Sequence, residues 1–305
     1  MEQESKKAVI TALLANVAIA VFKITAALIS RSSSMMAEGY HSVSDSFNQV
    51  LLLIGLRRGR RPPDEDHPFG HGKEQYFWSF MVAVLLFGVA GLFSVWEGFH
   101  KWKHPEPLNR LWLNYAAIAF AFIFETSAFR MAYRSLKQEM DAEKRSGIFD
   151  ALRKSKDPVT LTVLVEDSLA MAGLAIAALA ITLVKITGIL LFDAGASILI
   201  GLLLMSFALF LAFETRKLLL GESATESKCL NIRKALAVFP EIEKVISLRT
   251  MHLSSEEVLV ALEIDYRDEV TVKDLEVLND RIEAAIRRII PRAKVYLEAE
   301  NKPSQ

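Results

Sequence analysis

Six stretches of the chain, each about 20 residues of mostly apolar character, are long enough as helices to span a hydrocarbon core. They are Ala8–Ile29, Ser34–Leu56, Tyr76–Trp96, Leu111–Met131, Val159–Leu183 and Ile189–Phe213. Tyr76–Trp96 carries no charge, whereas each of the others holds at least one ionisable residue. Such residues must face a bundle interior, because lipid offers no partner. After Phe213 the pattern changes. Asn231–Val238 reads as a short helix and Val245–His252 as a strand. A Ser254–Glu257 turn then leads to Val258–Tyr266, where Val258, Val260, Leu262 and Ile264 alternate as in a half-buried strand. Thr271 with Asp274 forms a capping-box pattern. The helix it opens places Leu275, Leu278, Ile282 and Ile286 on one face, Pro291 stops it, and Lys294–Glu300 is a last strand. The expected architecture is an all-α membrane bundle of six transmembrane helices over residues 1–213. A C-terminal α+β domain of order αββαβ follows over 214–305, large enough to fold and dimerise but small for an enzyme.

Composition agrees with this division. Hydrophobic residues make up 52% of the chain and mean hydropathy is +0.27, too apolar for an ordinary soluble protein. Yet 24% of residues are charged, too many for a membrane bundle alone. The formal net charge is zero, so no polyanionic partner such as nucleic acid is implied. A single cysteine, Cys229, excludes an internal disulfide framework and a thiolate-rich zinc site. The start, MEQESKKAVI, leads into an apolar run with no small-residue cleavage site, so the first segment is expected to be retained.

Lysine and arginine are distributed unevenly between the connections. One side has Lys6 and Lys7, then Arg57, Arg58, Arg60, Arg61 and Lys73. It also has Arg130, Arg134, Lys137, Lys144, Arg145, Arg153, Lys154 and Lys156, and finally Arg216 and Lys217. The other side has Arg31, Lys101, Lys103, Arg110 and Lys185. This bias puts both termini in the cytoplasm. Short loops and the absence of a transit-like leader favour a bacterial inner membrane.

Three constellations carry chemistry. In the second span Glu38, His41, Asp45 and Asn48 fall at spacings of three and four, on one helix face. An imidazole with a carboxylate one turn away suits Zn²⁺ and other borderline divalent ions, unless the face only packs against other helices. In the fifth span Asp167 lies at a depth matching Asp45. Its neighbour Glu166 points about 100° away, so the two cannot both face one ion in a regular helix. One can bind metal while the other pairs with a cation or carries a proton. The third constellation is Asp64-Glu65-Asp66-His67-Pro68-Phe69-Gly70-His71-Gly72-Lys73. Its ligand types suit a divalent ion in a loop that Pro and Gly keep non-helical, the alternative being charges that are merely solvated. Asn16, Lys23, Glu125 and Asp193 read as helix–helix hydrogen bonds or ion pairs, and His100 and His104 as loop residues without a specific role.

These residues resemble the cation diffusion facilitator family of divalent-metal transporters. The Ala37–Asp45 run (AEGYHSVSD) resembles its second-helix HxxxD, and His67–Lys73 (HPFGHGK) is similar to its HP(F/Y)GHG(K/R) loop. Six helices and a ferredoxin-like cytoplasmic tail also match, so the resemblance covers nearly the whole chain. It implies export of Zn²⁺ or a similar ion, exchanged for protons by alternating access in a homodimer. The metal is cargo, and neither a resident cofactor nor an enzymatic activity is implied. The family's transport site takes two ligands from the second helix and two from the fifth. His41, Asp45 and Asp167 match three of them, and Asp64, His67 and His71 match a loop site. The usual fifth-helix histidine is replaced by Val163. The Glu166-Asp167 pair resembles the branch of zinc transporter nine and makes Glu166 a candidate ligand. The final strand has Glu298 and Glu300 where histidines are common, and His252 alone remains in the tail. Rival readings are a non-transporting metal sensor or scaffold, and the same transporter moving Mn²⁺, Fe²⁺ or Co²⁺. A membrane hydrolase lacks its motif, since no HExxH occurs.

Overall fold

The computed structural model describes residues 2–142 and 158–300. Lys144, Arg145, Arg153, Lys154 and Lys156 lie outside the described residues. Long helices occupy the N-terminal part: α1 (Glu2–Ser30), α2 (Ser33–Gly59), α3 (Glu74–Lys103), α4 (Leu111–Ala142), α5 (Pro158–Thr187) and α6 (Leu191–Leu220). Among the described residues, three segments are long and apolar enough to cross a membrane: α3, Val165–Thr187 of α5, and α6. The apolar stretches Asn16–Ser30 and Leu111–Ser127 are shorter. The sequence pattern predicts six such spans. Helix α2 falls short for a physical reason, since one of its faces is built of Glu38, His41, Asp45, Asn48 and serines.

The chain divides into two compact units. The first comprises the residues up to Leu53 with Ser79–Phe213, and the second comprises Ile54–Trp78 with the residues from Glu214 onward. In the first, α4 packs on both α1 and α5. A buried core draws on all six helices, with Ala26, Ala37, Ala90, Ala117, Ala177 and Ala208 around Leu86, Leu174, Ile181 and Ile200. Small residues at these crossings let backbones approach, which is how helices associate where lipid gives no hydrophobic drive. Helices α3 and α6 approach closely, since a Cβ on Gly201 would lie 2.8 Å from the Gly91 carbonyl oxygen. Helix α3 is π-helical over Leu86–Leu92, beside this seam.

The start of α2 is held by a clasp. The buried Asp193 carboxylate of α6 accepts from the Ser32, Ser33 and Ser34 hydroxyls at 2.7, 2.9 and 2.5 Å. It also accepts from the Ser33 and Ser34 backbone N–H groups at 2.6 and 3.2 Å. A carboxylate thereby satisfies donors that a helix N-terminus leaves open and complements its dipole. The expected helix–helix role of Asp193 is the one observed.

In the second unit a three-stranded sheet has the order β1 (Ile242–His252), β2 (Val258–Tyr266), β3 (Ala293–Ala299). The β1–β2 pair is antiparallel and β2–β3 parallel. Val258, Val260, Leu262 and Ile264 are buried against Ile232 and Leu236 of α7 (Glu226–Leu236) and Leu278, Ile282 and Ile286 of α8 (Val272–Ile289). The Thr271/Asp274 capping box is present at the start of α8.

Candidate metal centre

Within the first unit, the α2 face is buried as the spacing of its polar residues requires. His41 is 1% exposed, and neither ring nitrogen has a hydrogen-bond partner. Its Nδ1 stands 3.4 Å from Asp45 Oδ1, an oxygen that is itself without a hydrogen-bond partner. One turn further on, Asn48 Nδ2 donates to Glu166 Oε1 at 2.8 Å. Glu166 also interacts with Asp45 through its side chain, so α5 presents a carboxyl to the α2 pair. Asp167 Oδ2 is buried without a partner. Glu125 of α4 acts electrostatically on both Asp45 and Asp167. Lys23 of α1 donates to Glu38 Oε2 at 3.0 Å. A buried imidazole with two idle nitrogens beside an idle carboxylate oxygen is costly unless something occupies the space between them. A divalent cation held by one ring nitrogen and Asp45 Oδ1 would satisfy two of these atoms, the other nitrogen keeping its proton as a donor.

The structure brings His41 to Asp45 and Asp45 to Glu166. It does not gather His41, Asp45, Glu166 and Asp167 onto one point, because the only set of three or more candidate ligand atoms within 4.8 Å, among the described residues, lies elsewhere. The side chain of Val163 lies outside the described residues.

That preassembled set is Asp64, His67 and His71, in the second unit. Asp64 Oδ1 accepts from the His67 backbone N–H at 2.7 Å and lies 3.1 Å from His67 Nδ1. Asp64 Oδ2 lies 3.3 Å from His71 Nε2, and the two imidazole rings are 4.2 Å apart. Gly70, at φ +88°, turns the chain so that its N–H donates to the His67 carbonyl at 2.9 Å. Desolvation is the largest single influence on Asp64 and pushes its carboxyl up, but the His67 hydrogen bonds and the electrostatic pull of His71 and His67 together outweigh it and hold the carboxyl below the ordinary value. Two imidazoles and an ionised carboxylate are three of the four ligands a tetrahedral zinc site takes. His67 and Asp64 are about half exposed, whereas His71 is 9% exposed.

The loop is anchored to the sheet of the same unit. Lys294 Nζ donates to the Phe69 carbonyl at 2.9 Å, and the Phe69 and Tyr296 rings meet edge-on at 6.1 Å. A Cβ on Gly72 would lie 2.5 Å from the Leu253 carbonyl oxygen. A cleft of about 500 Å³ is lined by His71 together with Arg60, Arg61, Glu256, Glu257 and Arg292. In the tail, His252 stands without a second histidine or cysteine in a ligand cluster among the described residues. Sequence spacing does not reveal the loop anchor, the Lys23–Glu38 pair or the serine clasp. The Ser32–Ser34 triplet ahead of an apolar run is the one local signal, as a helix-capping sequence.

Comparison with known proteins follows the same two-part order. The chain matches the family model described as the cation efflux transmembrane domain over residues 9–220. It matches that of the cation efflux protein cytoplasmic domain over residues 225–302. Metal tolerance protein C4 of Arabidopsis thaliana is 31% identical over 273 residues, 90% of this chain and 60% of that protein. The human mitochondrial proton-coupled zinc antiporter SLC30A9 is 29% identical over 267 residues, 88% of this chain and 47% of that protein. The manganese efflux system protein MneP of Bacillus subtilis is 35% identical over 85 residues, 28% of this chain and 29% of that protein. The chain spans about half the length of the longer relatives, 60% of the plant protein and 47% of the human one. Cation efflux proteins are multi-pass membrane transporters and not enzymes. Matched in both halves and in the same order, the chain belongs to the cation diffusion facilitator family of cation efflux proteins, and within it resembles the zinc antiporter SLC30A9.

Proposed function

We propose that the protein exports a divalent transition metal, Zn²⁺ first among candidates, in exchange for protons. His41 and Asp45 of α2 with Asp167 and Glu166 of α5 form the transport site, and Asp64, His67 and His71 form a second metal site in the loop. The observation that carries this reading is His41, buried with two unpartnered ring nitrogens beside Asp45, which itself meets Glu166 of α5. The open spacing of these residues fits a site that tightens in one state of an alternating-access cycle and loosens in another. Metal binding must displace protons from an imidazole and carboxyls, which supports proton exchange, and the zinc relative is proton-coupled by name.

In this reading six helices span the bilayer as one bundle over residues 1–213. The Lys/Arg bias places both termini in the cytoplasm. The β1–β3 sheet with α7 and α8 in residues 214–305 is a ferredoxin-like tail that pairs two copies into a homodimer. The relatives matched over most of the chain are plant and mitochondrial proteins, which do not support the expected bacterial inner membrane. Two second readings have specific support. Preassembly of the loop trio alone favours a metal sensor that binds without flux, and the manganese relative favours Mn²⁺ as cargo.

One experiment separates them. Zn²⁺ and Mn²⁺ entry into proteoliposomes is followed with and without an imposed pH gradient, for the wild type and Glu166→Ala. Zn²⁺ entry driven by the gradient, and lost in Glu166→Ala, is expected. Binding with no entry of either metal would establish the sensor.

A further inference from the structure

Lys23 and Glu38 form an ion pair of 3.0 Å in which both side chains are fully buried. The transport reading makes no use of it. Removing two charges from water costs more than their attraction returns unless geometry is excellent, and an apolar pair of the same volume is often the more stable choice. The pair therefore calls for a role other than stability. Its position suggests one. Glu38 stands three residues before His41, on the same face of α2 as Asp45 and Asn48. Its Oε2 is held by Lys23, while Oε1 is buried with no hydrogen-bond partner. On the α5 side Glu38 meets bare backbone, since a Cβ on Gly173 would lie 2.2 Å from Oε1. A carboxylate with an idle oxygen thus sits one turn from the His41 imidazole, neutralised only by a lysine from α1.

We propose that Lys23 is a specificity-positioning residue. Its ammonium occupies Glu38 as a resident cation and so keeps a further carboxylate out of the metal's coordination shell. With Glu38 occupied, the shell stays small and contains nitrogen, as Zn²⁺ takes it. With Glu38 released, the same helix face adds oxygen ligands and moves toward the oxygen-rich, higher-coordinate shell that Mn²⁺ accepts. The proposal rests on the assignment of the α2–α5 transport site.

The test compares Mn²⁺ and Zn²⁺ entry into proteoliposomes for wild type, Lys23→Met, Glu38→Gln and the double variant. Lys23→Met is expected to raise the Mn²⁺:Zn²⁺ ratio by about tenfold, the scale on which a group behind a ligand alters metal affinity. Glu38→Gln turns the ammonium toward Asp45 and Glu125, on which it already acts, and so opposes both ions alike; both fluxes fall and the ratio stays. The double variant removes both charges and is expected to restore the wild-type ratio, which a purely structural role would not do. A wild-type ratio in folded Lys23→Met, a raised ratio in Glu38→Gln, or a double variant that keeps the raised ratio would each overturn the proposal. Should the wild type move neither metal, the transport reading fails. The ratio of Mn²⁺ to Zn²⁺ Kd values across the same four proteins in detergent then decides the role of Lys23.

Discussion

At the scale of single residues, the candidate metal-site histidines differ in burial, His41 at 1% exposed and His67 about half exposed, while a histidine of the tail stands where it responds to pH. His41 keeps two buried nitrogens without partners, of which the neutral ring offers one to a cation while the other carries the proton. His252, half-buried at the end of β1, also has an unpartnered Nδ1 but belongs to no ligand cluster among the described residues. Burial first, and the charge of Lys228 second, hold its pKa below the ordinary value. The folded tail thus prefers neutral His252, whereas the unfolded chain protonates it at about pH 6.5. Stability from this residue is complete above that value and is lost as pH falls through the lower folded pKa. Thermal melting of the full-length protein between pH 7.5 and 5 should show the tail weakening as pH drops, and His252→Gln should flatten that slope. An equal slope in the variant would assign the effect to other groups. The face bearing His41 and Asp45 is legible in the sequence because ionisable residues stand out against an apolar helix. The Lys23 partner of Glu38 is not legible, because it comes from another helix and sequence spacing says nothing of pairing across helices.

At the scale of elements, α2 is fastened at its start and loaded with chemistry further along. Five hydrogen bonds to one buried carboxylate hold Ser32–Ser34 to α6. Asp193→Ala would strand those donors, at a cost on the order of 3 kcal/mol. The expected result is a melting midpoint lowered by several degrees in detergent; an unchanged midpoint would show that the serines find other partners. In the tail, β2 spans the residues its alternation predicts, and α8 starts at its predicted cap. Other boundaries are less legible. Helix α7 begins at Glu226 and not Asn231, because its first turn is polar and periodicity appears only with Ile232. Irregular pairing between Ile242 and Ser247 hides the start of β1 by breaking its alternation. The π-helical stretch of α3 has no sequence signature, since Leu86–Leu92 reads as an ordinary apolar run.

At the scale of the whole molecule, two sets of candidate ligands differ in readiness. The loop trio is assembled on a turn set by Gly70 and anchored by Lys294 and Gly72 to the sheet, an arrangement of long-range contacts that no local pattern could announce. It should bind metal without a conformational cycle. Equilibrium Zn²⁺ titration is expected to lose one site per chain in His67→Ala/His71→Ala, and unchanged stoichiometry would remove the loop from the account. In the proposed α2–α5 site Asp45 meets His41 and Glu166, but the four side chains are not gathered on one point, and gathering them around a metal is a rearrangement that suits a transporter more than a static sensor. The central claim is that cargo passes through this intramembrane site. Zn²⁺ entry into proteoliposomes bearing Asp45→Ala tests it most directly, with gel filtration confirming that the variant is folded. The account predicts a rate about 100-fold or more below the wild type, since removing even a group behind a metal ligand costs about 10- to 100-fold. A folded Asp45→Ala protein that carries Zn²⁺ within about twofold of the wild-type rate would contradict it.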